Sequence, residues 1–105
     1  MLIKPPRYKI TNHAIERYNE RVNYSQKEIR RAIMKDLRSL KNKRIIHVGS
    51  KKYIFFKNYR EFVLETKPDG TEILITVIKH KRDTKEKAIE KRLKEKEEYE
   101  KNRDI

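Results

Sequence analysis

The chain has 105 residues, no cysteine and a formal charge of +13. That length suits one small domain, and the missing cysteines exclude a disulfide framework, a thiolate metal site and a cysteine nucleophile. No apolar run is long enough for a signal peptide or a membrane span, so a cytoplasmic location and no membrane partner are expected.

The charge is unevenly spread. Residues 83–105 hold eight basic and eight acidic side chains, whereas residues 1–82 hold 21 basic and eight acidic. The excess therefore sits on a basic domain, residues 1–82, followed by a charged helical tail, residues 83–105. A polyanion is the natural partner of the basic part, because neutralising phosphates releases counterions and gives salt-sensitive binding. RNA or another nucleic acid is favoured over an anionic membrane, since there is no Leu/Phe/Trp-rich amphipathic stretch.

In chain order, residues 1–10 contain Pro5-Pro6 and read as an extended lead-in. A helix then starts at Thr11 or Asn12, either of which can cap it, and ends near Val22-Asn23. Along it His13, Arg17 and Arg21 recur every fourth residue and share one face. Ala14, Ile15, Tyr18 and Val22 form a separate apolar face. One imidazole and two guanidiniums in a row suit a phosphate: arginine offers a fixed fork of donors, and histidine titrates near neutral pH.

A second helix opens with the capping box Ser25-Gln-Lys-Glu28. Its core stripe is Ile29, Ala32, Ile33, Leu37 and Leu40. The opposite face carries Lys27, Arg30, Arg31, Lys35, Arg38 and Lys41, nearly all of one sign, which favours a phosphate-facing surface over a mixed solvated one.

Four strand-like segments follow, at about 44–48, 52–57, 60–66 and 71–79. Gly49-Ser50-Lys51, Asn58-Tyr59 and Lys67-Pro-Asp-Gly70 separate them. All three connections are too short for a parallel crossover, so an antiparallel meander is predicted. Strict alternation in the last strand places Leu74, Thr76, Ile78 and His80 on one face and Ile73, Ile75, Val77 and Lys79 on the other.

The tail is almost wholly Lys, Glu and Arg, with Ala88, Ile89, Leu93 and Tyr99 as its few apolar residues. The expected form is a solvated helix docked by a turn or two at Ile89 and Leu93, or a helix that binds a protein partner. There is no phosphate-cradling glycine loop and no HExxH or EF-hand pattern, and acidic residues are scattered. No metal and no cofactor are expected.

The order helix, helix, four-stranded sheet in a small basic domain resembles the RelE/ParE toxins. His13-Ala14, Arg17 and Arg21, with Tyr53 on an early strand and Ile75-Thr76-Val77-Ile78 in the last, more closely resembles a family of small phage and bacterial domains. Its members read His-Ala-x-x-Arg-x-x-x-Arg near the start. That family is grouped with RelE-like and BrnT-like toxins in the barnase–colicin–RelE class. The resemblance covers residues 11–82. It implies a RelE-like α+β fold, two N-terminal helices on a four-stranded antiparallel sheet, with a charged C-terminal helix added. It also implies a toxin-like or phage-effector endoribonuclease that works without metal, on RNA that is free or ribosome-bound. His13, Arg17 and Arg21 fall on the helix motif and Thr76 on the last-strand motif. Ile78 stands where many relatives have tyrosine.

Metal-independent RNA cleavage needs a base for the 2′-hydroxyl, a cation for the phosphorane-like transition state and an acid for the departing oxygen. His13 and His80 are the candidate proton carriers, Arg17 and Arg21 the phosphate clamp, and Thr76 an added donor. Lys27, Arg30, Arg31, Lys35, Arg38 and Lys79 are the candidate backbone contacts, with Tyr53 as a base-stacking ring. The competing readings are a non-catalytic nucleic-acid-binding regulator and a protein that blocks a host complex through its C-terminal helix. In their plainer roles His13 is a first-turn residue, Arg17 and Arg21 pair with Glu16, Glu20 or an acidic residue elsewhere, and Thr76 is a good strand former.

Overall fold

The structure is a computed structural model that describes residues 7–18, 25–39, 43–56 and 59–103. Three helices and five strands follow the order β1 (Tyr8–Ile10), α1 (Asn12–Tyr18), α2 (Gln26–Arg38), β2 (Lys43–Val48), β3 (Lys51–Phe56), β4 (Arg60–Thr66), β5 (Glu72–Lys79) and α3 (Arg82–Arg103). The strands form one sheet, ordered β1-β5-β4-β3-β2.

The four predicted strands pair as the expected antiparallel meander. Local chemistry sets its turns. Gly49 (φ +61) and Gly70 (φ +89) supply left-handed backbone that a side chain disfavours. At the second turn the Asp69 carboxylate accepts the Thr71 N–H at 2.9 Å. The sheet nevertheless differs from four antiparallel strands. Tyr8–Ile10, read as lead-in, is a fifth strand that lies parallel to β5, with Tyr8 opposite Glu72 and Ile10 opposite Leu74. Three residues are too few to show a period, and their partner strand is distant in sequence.

Helix α2 matches its capping box in one direction: Ser25 Oγ accepts the Glu28 N–H at 3.3 Å. At its other end Lys43 Nζ donates to the Leu37 carbonyl at 3.1 Å, which satisfies one of the acceptors every helix leaves open. Ile29, Ile33 and Leu37, one turn apart, are buried. Leu40 lies outside the described residues.

The sheet is covered on both faces. On one side Ala14 and Ile15 of α1 and Ile29, Ile33 and Leu37 of α2 pack on Ile54, Phe56, Phe62, Leu64, Leu74 and Val77. On the other, Ile46, Tyr53, Phe55 and Val63 meet Ala88 and Ile89 of α3, with Val48 and Ile78 alongside. The expected face assignment of β5 fails at a β-bulge. Pairing passes from Val63–Thr76 to Leu64–Leu74, leaving Ile75 as the extra residue. One extra residue inverts the alternation, so Leu74 and Val77 share the α1/α2 core while Ile78 joins the α3 side.

The tail takes its expected helical form and docks at Ile89, one of its two expected anchors. Helix α3 docks on the sheet through Ala88 and Ile89, while Leu93 stays exposed. Glu61 of β4, 1% exposed, holds it there: its Oε2 accepts Arg92 Nε at 2.9 Å and its Oε1 lies 2.7 Å from His80 Nε2. The Arg92 guanidinium also covers the Tyr53 ring at 4.0 Å and donates to Glu95. Removing one partner of a buried ion pair leaves a desolvated charge. Arg92→Ala should therefore lower the unfolding free energy by about 3 kcal/mol, read from urea denaturation, whereas Lys101→Ala on the exposed end of α3 should change it by less than about 0.5 kcal/mol.

Candidate functional site

Helix α1 lies against β5, beyond the short span that β1 occupies. The Thr11 N–H donates to the Leu74 carbonyl at 3.2 Å, so the chain turns from strand to helix directly beside β5. Ala14 and Ile15 seat α1 on the sheet face next to β5. His80 N–H donates to the Tyr59 carbonyl at 2.7 Å, toward β4. Peptide groups alternate in direction along a strand, so those of Val77 and Lys79 point away from β4, to the α1 side.

A pocket of about 300 Å³ lies between α1 and this strand edge, lined by His13, Arg17, Thr76, Val77, Ile78 and Lys79. It brings together four of the sequence-predicted residues: His13 and Arg17 from adjacent turns of the helix, Thr76 and Lys79 from the strand. His13 and Arg17 are exposed on the helix while Ala14 and Ile15, between them, are buried. Arg21 lies outside the described residues.

Two other candidates lie elsewhere. His80 follows Lys79 directly, so the two side chains take opposite faces of the sheet. It packs on the α3 side, bonded to Glu61 and stacked on Phe55 with ring centroids 6.1 Å apart. The two histidines are therefore not a pair across one site. Tyr53 is 5% exposed and lies under Arg92. Its hydroxyl is raised above the ordinary tyrosine range, chiefly by burial. It is closed to a stacking base because it lies on the α3 side of its strand, where Arg92 covers the ring.

The predicted basic face of α2 is a second feature. Lys27, Arg30, Arg31, Lys35 and Arg38 line an open concavity of about 750 Å³ together with Met34 and Ser39. Their spacing keeps all five cations on one side of the helix, opposite the buried Ile29, Ile33 and Leu37.

One cation was missed by sequence reasoning. Arg60 stands opposite Lys79 across β4 and β5, and its guanidinium lies 4.3 Å from the centroid of the Tyr18 ring. Tyr18 donates to Asp36 Oδ2 at 3.1 Å, which links α1 to α2. An arginine that opens a strand carries no motif; only the cross-strand register places it beside Lys79. Among the described residues, no three His, Cys, Asp or Glu side chains gather as metal ligands would.

Comparisons with protein-family models, with curated proteins and with solved structures find no match to this chain.

Burial raises the Asp36 carboxyl above its ordinary 3.8, against the opposing Tyr18 hydrogen bond and the Arg60 charge. The folded state thus binds this proton more tightly than the unfolded one, and stability from this group is present in acid and lost as pH rises through the folded value. Asp36→Asn keeps an acceptor for Tyr18 and removes the titration. Its stability relative to wild type should rise from about pH 3 to pH 7, as measured by urea unfolding across that range.

Proposed function

We propose that this chain is an RNA-directed, RelE-like protein that cleaves a phosphodiester without metal in the pocket between α1 and β5. The observation that carries the proposal is the convergence there of His13, Arg17, Thr76 and Lys79. Arg17 and Lys79 supply positive charge for a phosphate whose negative charge grows in the transition state. His13 is the one imidazole in the pocket and takes the proton-transfer role, with the Lys79 ammonium as the candidate second acid. His80 has no part in this chemistry, since Glu61 and Phe55 hold it on the other side of the sheet. The cation row on α2 binds the flanking backbone, where phosphate contacts supply affinity rather than sequence choice.

The test is incubation of mixed RNA with the purified protein in excess chelator. Wild type should cut and His13→Ala should lose about 100-fold or more in rate while binding RNA with nearly wild-type affinity. RNA left intact by wild type, with and without ribosomes, would reject the enzyme.

A second reading, a nucleic-acid-binding regulator without catalysis, is favoured by the α2 face, which presents five cations on one side of a helix. Under either reading Arg31→Ala should weaken RNA binding and reduce the slope of log affinity against log salt by about one. Filter binding over a salt series measures it, and an unchanged slope would remove α2 from the interface.

A further inference from the structure

We infer that Thr11 is the positioning residue of the α1–β5 pocket, and that the β-bulge at Ile75 exists to receive it. The inference rests on the phosphate-binding reading of that pocket. The Thr11 hydroxyl has three partners. It donates toward the Leu74 carbonyl at 2.9 Å and the Ile75 carbonyl at 3.0 Å, and it accepts the Ala14 N–H at 3.1 Å. The last bond makes it the N-cap of α1, while the first two fasten that cap to β5.

In a regular strand successive carbonyls point to opposite edges. The bulge breaks this rule by placing Ile75 as an extra residue between the pairs Leu64–Leu74 and Val63–Thr76. As a result two consecutive carbonyls reach one hydroxyl. The same irregularity decides which residues of β5 follow on which face: Val77, and with it Lys79, takes the α1 side, while Thr76 and Ile78 take the α3 side.

Helix α1 has only seven residues, too few to hold its own geometry in water. Its placement depends on its buried pair, Ala14 and Ile15, and on its first turn. Apolar contacts set depth but are non-directional; the one O–H of Thr11, shared between two carbonyls, and the Ala14 N–H it accepts set the rotation and height of the helix relative to β5. His13 follows two residues later and Arg17 one further turn on. A small rotation at Thr11 would swing both side chains along the strand edge. Thr11 touches no ligand in this scheme and acts through His13 and Arg17.

The variants separate the hydroxyl from the shape of the side chain. Thr11→Val keeps the β-branched outline and loses both the shared donation and the accepted Ala14 N–H, whereas Thr11→Ser keeps them. The readout is the imidazole NMR signal of His13, identified by its absence in His13→Ala, titrated with inorganic phosphate. Wild type and Thr11→Ser should give the same saturable shift. Thr11→Val should need about tenfold more phosphate, with the His47 and His80 signals unmoved. Equal phosphate affinity in Thr11→Val and wild type would overturn the inference and leave the pocket reading standing. Equal impairment of Thr11→Ser and Thr11→Val would overturn it too, by showing that the hydroxyl is not the agent. No His13 response in wild type would instead refute the phosphate pocket itself. If Thr11→Val does not fold, Thr11→Gly, which a helix N-cap tolerates at small cost, is read by the same criteria.

Discussion

A carboxylate buried inside a small sheet is the constraint around which one half of this molecule is arranged. Glu61 sits on β4 with almost no exposure, and an isolated charge there would oppose folding by several kcal/mol. Its two oxygens are met from two directions: Arg92 arrives from α3 and His80 from the end of β5. Along α3, residues seven apart make contacts of a different kind with the sheet side. Lys85 Nζ lies 5.5 Å from the centroid of the Tyr59 ring, Arg92 stacks on Tyr53, and the Tyr99 ring leaves no free space at Gly49, where an added Cβ would meet it at 3.0 Å. The sheet is thus covered by a helix whose inward contacts mix two cations, Lys85 and Arg92, with Ala88, Ile89 and Tyr99. Cation–π stacking and the aliphatic stems of Lys and Arg supply what leucines would supply elsewhere.

The two sides of the sheet consequently have different characters. The α3 side is closed and internally compensated: Glu61, Arg92, Glu95 and His80 satisfy one another over a floor of aromatic rings. The α1/α2 side carries the basic rows on its outer surface. The balanced charge of α3 leaves the field of the basic domain undiminished, so a polyanion approaching the protein is drawn toward α1 and α2. The pocket and the α2 concavity both belong to this side, and the Tyr18–Asp36 bond with Arg60 above it joins the two helices that carry them.

Much of this arrangement is legible in the sequence where a signal is local. Ser25 and Glu28 announce α2, the Pro-Asp-Gly turn announces the last hairpin, and the one-sign face of α2 follows from its period. The row of His13 and Arg17 is legible for the same reason. What stayed hidden depends on relations between distant residues. Tyr8–Ile10 becomes a strand only because β5 offers an edge. The bulge at Ile75 has no composition signal, since isoleucine fits a regular strand as well, yet it inverts the faces of every later residue in β5. His80 was paired with His13 on proximity to the last strand, whereas the single-residue step from Lys79 sends it to the opposite face. The docking of α3 at Ile89 was legible in hydropathy, but the cationic contacts of Lys85 and Arg92 with aromatic rings were not.

The parallel pair of β1 and β5 has a consequence for how the molecule is made. Tyr8 must find Glu72, so the edge of the sheet closes by a contact of very high sequence separation, and such contacts carry the loop-closure entropy of everything between. The meander from β2 to β5 has only neighbouring pairs and can assemble as it leaves the ribosome. The segment bearing His13 and Arg17, synthesised well before β5, has no edge to settle on until that strand arrives. The pocket is therefore among the last parts of the basic domain to form, and a nascent chain carries its charged helix before the strand that completes the pocket exists.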